Sequence, residues 1–143
     1  MAESQVAESR IDDSRWGLLD TSVVIDLDMI DSDRLPHECA IAAITLAELV
    51  AGPHATDDEN ERARRQDRLQ WAATTWNPLP FDTDAARMYG RVFAAVRASG
   101  RTARSRLADL LIAAIAAAND LPLYTRNPKD FVGLDRLVTV KRI

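Results

Sequence analysis

The stretch "GLLDTSVVIDLD", Gly17 to Asp28, carries the pattern on which the fold turns. Trp16 to Leu19 is an apolar run of strand length, and Asp20 stands at its end. Behind it, Val23, Leu27 and Ile30 recur at helical spacing, with Thr21 and Ser22 able to cap the helix and "DSDRLP" (31–36) to break it. A strand running directly into a helix, with a carboxylate at the seam, is the unit of an α/β fold.

The same unit recurs downstream. Ala40 to Ile44 is a second apolar run predicted as a strand, and "TLAELVAG" (45–52) a short helix stopped by Gly52 and Pro53. Residues 57–76 form a charged amphipathic helix whose acids precede its bases, which suits the helix dipole. "NPLPF" (77–81) is a connector or short strand, and Asp82 or Thr83 caps a helix that runs to about Ala98. Leu107 to Ala118 is predicted as a buried helix, "LPLYT" (121–125) as a strand, "NPKDF" (127–131) as a turn and "LVTV" (137–140) as a last strand. The expected architecture is a three-layer α/β/α sandwich with a mostly parallel sheet. In such folds functional groups gather beyond the carboxyl ends of the strands, where Asp20, Thr125, Asn127 and Asp130 fall.

The chain has 143 residues, enough for one domain with its own core, and no internal repeat. Residues 15–143 are expected to form that domain, and the polar residues 1–14 a disordered arm. That arm lacks the basic start and apolar stretch of a signal peptide. The longest apolar segment, Leu107 to Ala118, is interrupted by Asp109 and too short to span a bilayer, so no membrane association is expected. A single cysteine, Cys39, excludes an internal disulfide framework, and the expected location is cytoplasmic. The net charge of −4 disfavours a polyanionic partner overall, yet residues 85–108 hold six Arg and no acid. Within that stretch Arg97, Arg101, Arg104 and Arg106 are candidates for gripping a phosphate backbone. Arg62, Arg64, Arg65 and Arg68 form a second cluster, for which a solvated helix face is the competing account. Trp71, Trp76 and Tyr89 could stack on bases, but aromatics at helical spacing more often pack in a core.

Three acids lie inside apolar runs: Asp20 after Leu18 and Leu19, Glu48 in "IAAITLAELVAG", and Asp109 in "LADLLIAAIAAA". A lone buried carboxylate costs several kcal/mol unless it is neutralised, and none of these runs supplies a Lys or Arg partner on the same face. Each acid alone has an ordinary explanation: Asp20 as a helix cap, Glu48 paired with a distant Arg, Asp109 complementing a helix dipole. If the three converge, a hard divalent cation removes both the burial cost and the mutual repulsion, and supports phosphodiester hydrolysis.

In this order and spacing, "LLDTSVVIDL", "ITLAELVAG", "ADLLIAAIA" and "LPLYTRNPKDF" together resemble the PIN-domain family, and within it the VapC-type toxin ribonucleases of bacterial toxin–antitoxin pairs. The resemblance covers the chain from about Trp16 onward. It implies that Asp20, Glu48 and Asp109 hold Mg²⁺ or Mn²⁺ and that the chain is an endoribonuclease. The family often has Asp two residues after the Thr of the fourth strand; Asn127 stands there, so the fourth acidic role goes to Asp130, with Thr125, Asn127 and Ser22 as polar supports. The resemblance further implies a homodimer and a cognate VapB-type antitoxin whose C-terminal segment wraps the toxin and places a basic side chain among the acids.

Rival patterns fit less well. "DLDMIDSD" (26–33) lacks the turn Gly and terminal Glu of an EF-hand, and His37, Cys39 and His54 match no zinc spacing. A dehalogenase-type phosphatase needs a second Asp where Ser22 stands. A non-catalytic PIN-like RNA-binding module would be marked by loss of the acids that are present here.

Overall fold

The structure, a computed structural model, describes residues 15–101 and 106–143. The expected arm at 1–14 and Arg104 lie outside the described residues.

Strand β1 (Trp16–Leu19) leads into a short helix α1 (Thr21–Ile25), and β2 (Glu38–Ile41) leads into α2 (Ala43–Ala51). Two long helices follow, α3 (Glu59–Thr75) and α4 (Thr83–Ala98), then α5 (Leu107–Ala118), β3 (Leu123–Thr125) and β4 (Val140–Arg142). The four strands form one sheet in the order β2-β1-β3-β4, and every pair is parallel. The chain moves from β1 to one side for β2 and returns to the other side for β3. The point of reversal, beyond the carboxyl ends of β1 and β3, is where such sheets open a crevice.

Strand alternation sorts the core into two layers. Leu18, Ala40 and Leu123 face α4 and α5, packing with Val92, Val96, Leu110 and Ile115. Leu19 and Ile41 face the other way, onto Val23, Val24, Leu49 and Ala72 of α1, α2 and α3. The expected three-layer sandwich is thus present. Gly17 is required at its place in β1: a Cβ there would lie 2.5 Å from the Tyr124 ring and 2.9 Å from Pro36.

Three expectations need correction in detail, and one open alternative is resolved. The first helix ends at Ile25 and gives way to a 3-10 turn, Leu27–Met29. Three successive β-branched residues, Val23 to Ile25, are poor at propagating a helix. The second strand begins at Glu38 and ends at Ile41, so Ile44 belongs to α2 and not to the sheet. "NPLPF" contributes one isolated parallel bridge, Ala42 with Leu79, at the β2 edge. The last strand starts at Val140, because Leu137 and Val138 are drawn into a turn by bonds to the Leu134 carbonyl at 2.9 and 3.0 Å. No helix among the described residues is long and apolar enough to cross a membrane.

Candidate functional site

Asp20 leaves the end of β1 as a side chain only 4% exposed. Its backbone occupies the N-cap position of α1, and its carbonyl accepts from the amides of Val23 and Val24 at 2.9 and 3.3 Å. Its carboxylate makes no capping bond. Instead Oδ2 accepts from the Ser22 hydroxyl and from the Thr125 hydroxyl, each at 2.8 Å. Thr125, fully buried at the end of β3, is fixed in turn by the Asn127 amide donating to its Oγ1 at 3.0 Å. The Arg126 amide donates to Ser22 Oγ at 3.2 Å. The two strand ends are thereby joined through one carboxylate. The capping explanation of Asp20 holds for its backbone and fails for its side chain.

Glu48 overturns an expectation. It sits in an apolar run, yet it is exposed, because α2 turns Thr45 and Leu49 inward and presents Ala47, Glu48 and Val50 outward. No burial cost attaches to it. Its partner is not an Arg but the Thr21 hydroxyl, 2.6 Å from Oε1, which also lies 2.9 Å from the Thr45 hydroxyl. In the sequence Thr21 was read only as a helix cap and Thr45 was not singled out; the signal was a threonine one turn ahead of Glu48 in an otherwise apolar helix.

Asp109 is half-buried in the first turn of α5, where its charge also suits the helix dipole. Its pKa is pushed up to about 6, first by burial and then by the negative charges of Asp20, Asp130 and Glu48, with Arg106 pulling the other way. The four acids therefore share one electrostatic neighbourhood. As placed, no group of three or more His, Cys, Asp or Glu side chains among the described residues stands ready to hold an ion. Neutral hydroxyls occupy Asp20 and Glu48.

The turn after β3 brings in Asp130, whose Oδ1 lies 2.7 Å from Arg106 Nη1. Asn127 supports Thr125 through its backbone amide; its side chain is exposed. Of the candidate phosphate-gripping arginines, Arg97 is exposed at the end of α4, whereas Arg101 and Arg106 are engaged with the turn around Lys129 and Asp130. The second cluster is largely structural: Arg64 and Arg65 bond Glu61, Arg65 also bonds the Gly52 carbonyl, and Arg62 bonds the carbonyls of Pro53 and Thr56. Trp71, 46% exposed, packs edge-on to Trp76 with ring centroids 5.0 Å apart. Tyr89 lies between Phe81 and Phe93.

Replacing Thr125 with the near-isosteric Val removes one of the two donors to a buried carboxylate and the acceptor of the Asn127 amide. Thr125→Val is expected to lower stability by about 1–3 kcal/mol, read as an earlier denaturant midpoint at unchanged slope.

Comparison with known proteins places this geometry among relatives. The PIN domain family model matches residues 17–137. The chain is similar to Ribonuclease VapC5 of Mycobacterium tuberculosis, 40% identical over 130 residues that cover 89% of this chain and 93% of the relative. It is similar in fold to the crystal structure of VapBC-5 from the same organism, with a TM-score of 0.77 at 40% identity over 90% of this chain and 98% of that one. FitAcB from Neisseria gonorrhoeae is similar with a TM-score of 0.67 at 26% identity, over 87% of this chain and 95% of that one.

Proposed function

The chain belongs to the PIN-domain family, and from that premise we propose that it is a Mg²⁺- or Mn²⁺-dependent endoribonuclease, the toxin of a VapBC-type toxin–antitoxin pair, acting in the cytoplasm. The observation that carries this reading is the buried Asp20 carboxylate at the carboxyl end of β1, held by the Ser22 and Thr125 hydroxyls with no cationic partner among the described residues; its charge, with those of Asp130 and Glu48, also helps to raise the pKa of Asp109 to about 6. Asp20, Asp130 and Glu48 each repel an ionised Asp109, and the hard oxygens of these carboxylates suit a cation such as Mg²⁺ or Mn²⁺. Asp20, Asp109, Glu48 and Asp130 would hold that ion. When bound, it lowers the pKa of a water and offsets charge that develops on the scissile phosphate.

The remaining work falls to the chain itself. Ser22 and Thr125 fix the orientation of Asp20 by hydrogen bonds to Oδ2, and Thr21 does the same for Glu48. The backbone of β1 and β3 keeps these groups in register, since the Asp20 amide donates to the Tyr124 carbonyl at 2.8 Å. Arg97 offers an exposed cation for the RNA backbone outside the acids.

A VapB-type antitoxin and a second copy of the chain are the proposed protein partners. A groove of about 430 Å³ between α1 and α3, lined among others by Ile25, Leu27, Arg64, Asp67 and Trp71, mixes apolar surface with both signs of charge. Such a groove suits an amphipathic helix. A basic side chain of the antitoxin reaching the acids would satisfy the carboxylates that the cation otherwise occupies.

Incubation of the purified chain with total RNA and Mg²⁺, followed by mapping of new ends, tests the activity. Discrete internal cleavage is expected. Retention of RNA without new ends would favour a non-catalytic RNA-binding module.

A further inference from the structure

The acid cluster has a cation of its own. Arg106 occupies the N-cap position of α5, one turn before Asp109, and its Nη1 lies 2.7 Å from Asp130 Oδ1 and 3.5 Å from the Lys129 carbonyl. Arg101 reaches the same carbonyl at 2.6 Å, so two arginines bracket the turn that carries Asp130. Among the described residues, Asp130 alone of the four acids has an ion-pair partner; Asp20 and Glu48 are held by neutral hydroxyls.

We propose that Arg106 is a positioning residue that acts as the resident counter-ion of Asp130, competing with a divalent cation for that carboxylate and lowering the cation affinity of the pocket. The inference rests on the metal-site reading given above. The pair is built to be exchanged: the side chains of Arg106 and Asp130 are 33% and 25% exposed, and an ion pair with that much solvent contact has a small net stability. A hydroxyl donor leaves the negative charge of its carboxylate for a cation to use. A guanidinium cancels that charge and repels the incoming ion.

Titration of the full chain with Mn²⁺, with free ion followed by its paramagnetic resonance signal, tests the competition. Arg106→Gln is expected to bind Mn²⁺ about three- to tenfold more tightly than wild type, because a positive charge has left the pocket. Arg106→Lys keeps the charge and is expected to stay within about twofold of wild type. Unchanged or weaker binding by a folded Arg106→Gln chain overturns the proposal, since a purely structural role for Arg106 predicts loss and not gain. In the wild-type chain, which needs no substitution to fold, the Arg106 Nε–H resonance is expected to shift as Mg²⁺ is added; a signal unmoved at saturating Mg²⁺ also overturns it. Asp20→Asn separates the two levels: if that variant binds Mn²⁺ like wild type, the metal-site reading itself fails, whatever Arg106 does.

Discussion

Asp20→Asn is expected to bring RNA cleavage below about one-hundredth of the wild-type rate, since even residues that merely orient a metal ligand cost 10–100-fold when lost. The chain should remain folded. Asn keeps one carbonyl oxygen, which can accept from Ser22 and Thr125 as Oδ2 does now, and the backbone capping of α1 is untouched. The amide removes a buried negative charge that now raises the pKa of Asp109, so the ion-free variant should melt at or above the wild-type temperature. The decisive combination is a folded, thermally sound and inactive protein. A variant that unfolds, or one that folds and cleaves normally, would return Asp20 to a structural role.

How far this site was legible in the sequence differs from residue to residue. Asp20 was legible because a carboxylate between two apolar elements has few uses, and its near-complete burial matches that premise. Glu48 was found for a reason that does not hold: its apolar run implied burial, but a nine-residue helix on the outside of a sandwich buries only a narrow stripe, here Thr45 and Leu49. Arg106 was legible as a basic residue near Asp109, but its ion pair with Asp130 was not. Its partner, Asp130, lies 24 residues on, and only the β3 turn folding back onto α5 brings the two together.

The sheet shows the same division. β1 and β3, buried on both faces, announce themselves as apolar runs. β4 is an edge strand whose ladder includes Lys141 and Arg142, while the more apolar Leu137 and Val138 just before it pack beneath a turn. Hydrophobicity therefore pointed a few residues too early. Likewise the buried hydroxyls of Thr21, Thr45 and Thr125 leave no periodic trace, since a buried threonine and a buried valine occupy the same positions in a pattern.

Removal of divalent ions with EDTA is expected to abolish cleavage, and restoring Mg²⁺ or Mn²⁺ to recover it; cleavage that persists in EDTA would sink the metal mechanism. The same ion should leave a pH-dependent mark on stability. Asp109 has a pKa of about 6 in the folded, ion-free chain against an ordinary value of 3.8. The native state thus holds this proton more tightly than the unfolded state, and stability from this group falls as pH rises across that window. Below it both states are protonated and the penalty is absent; above it both are ionised and the penalty is complete. A cation bound by ionised Asp109 offsets that penalty only where the carboxylate has lost its proton. Mn²⁺ is therefore expected to raise the melting temperature clearly at about pH 7.5 and hardly at all at about pH 5. In Asp109→Asn the ion-free stability should lose its slope across the window, and Mn²⁺ should no longer shift the melt at either pH. A wild-type shift of equal size at both pH values would mean that Asp109 does not hold the ion.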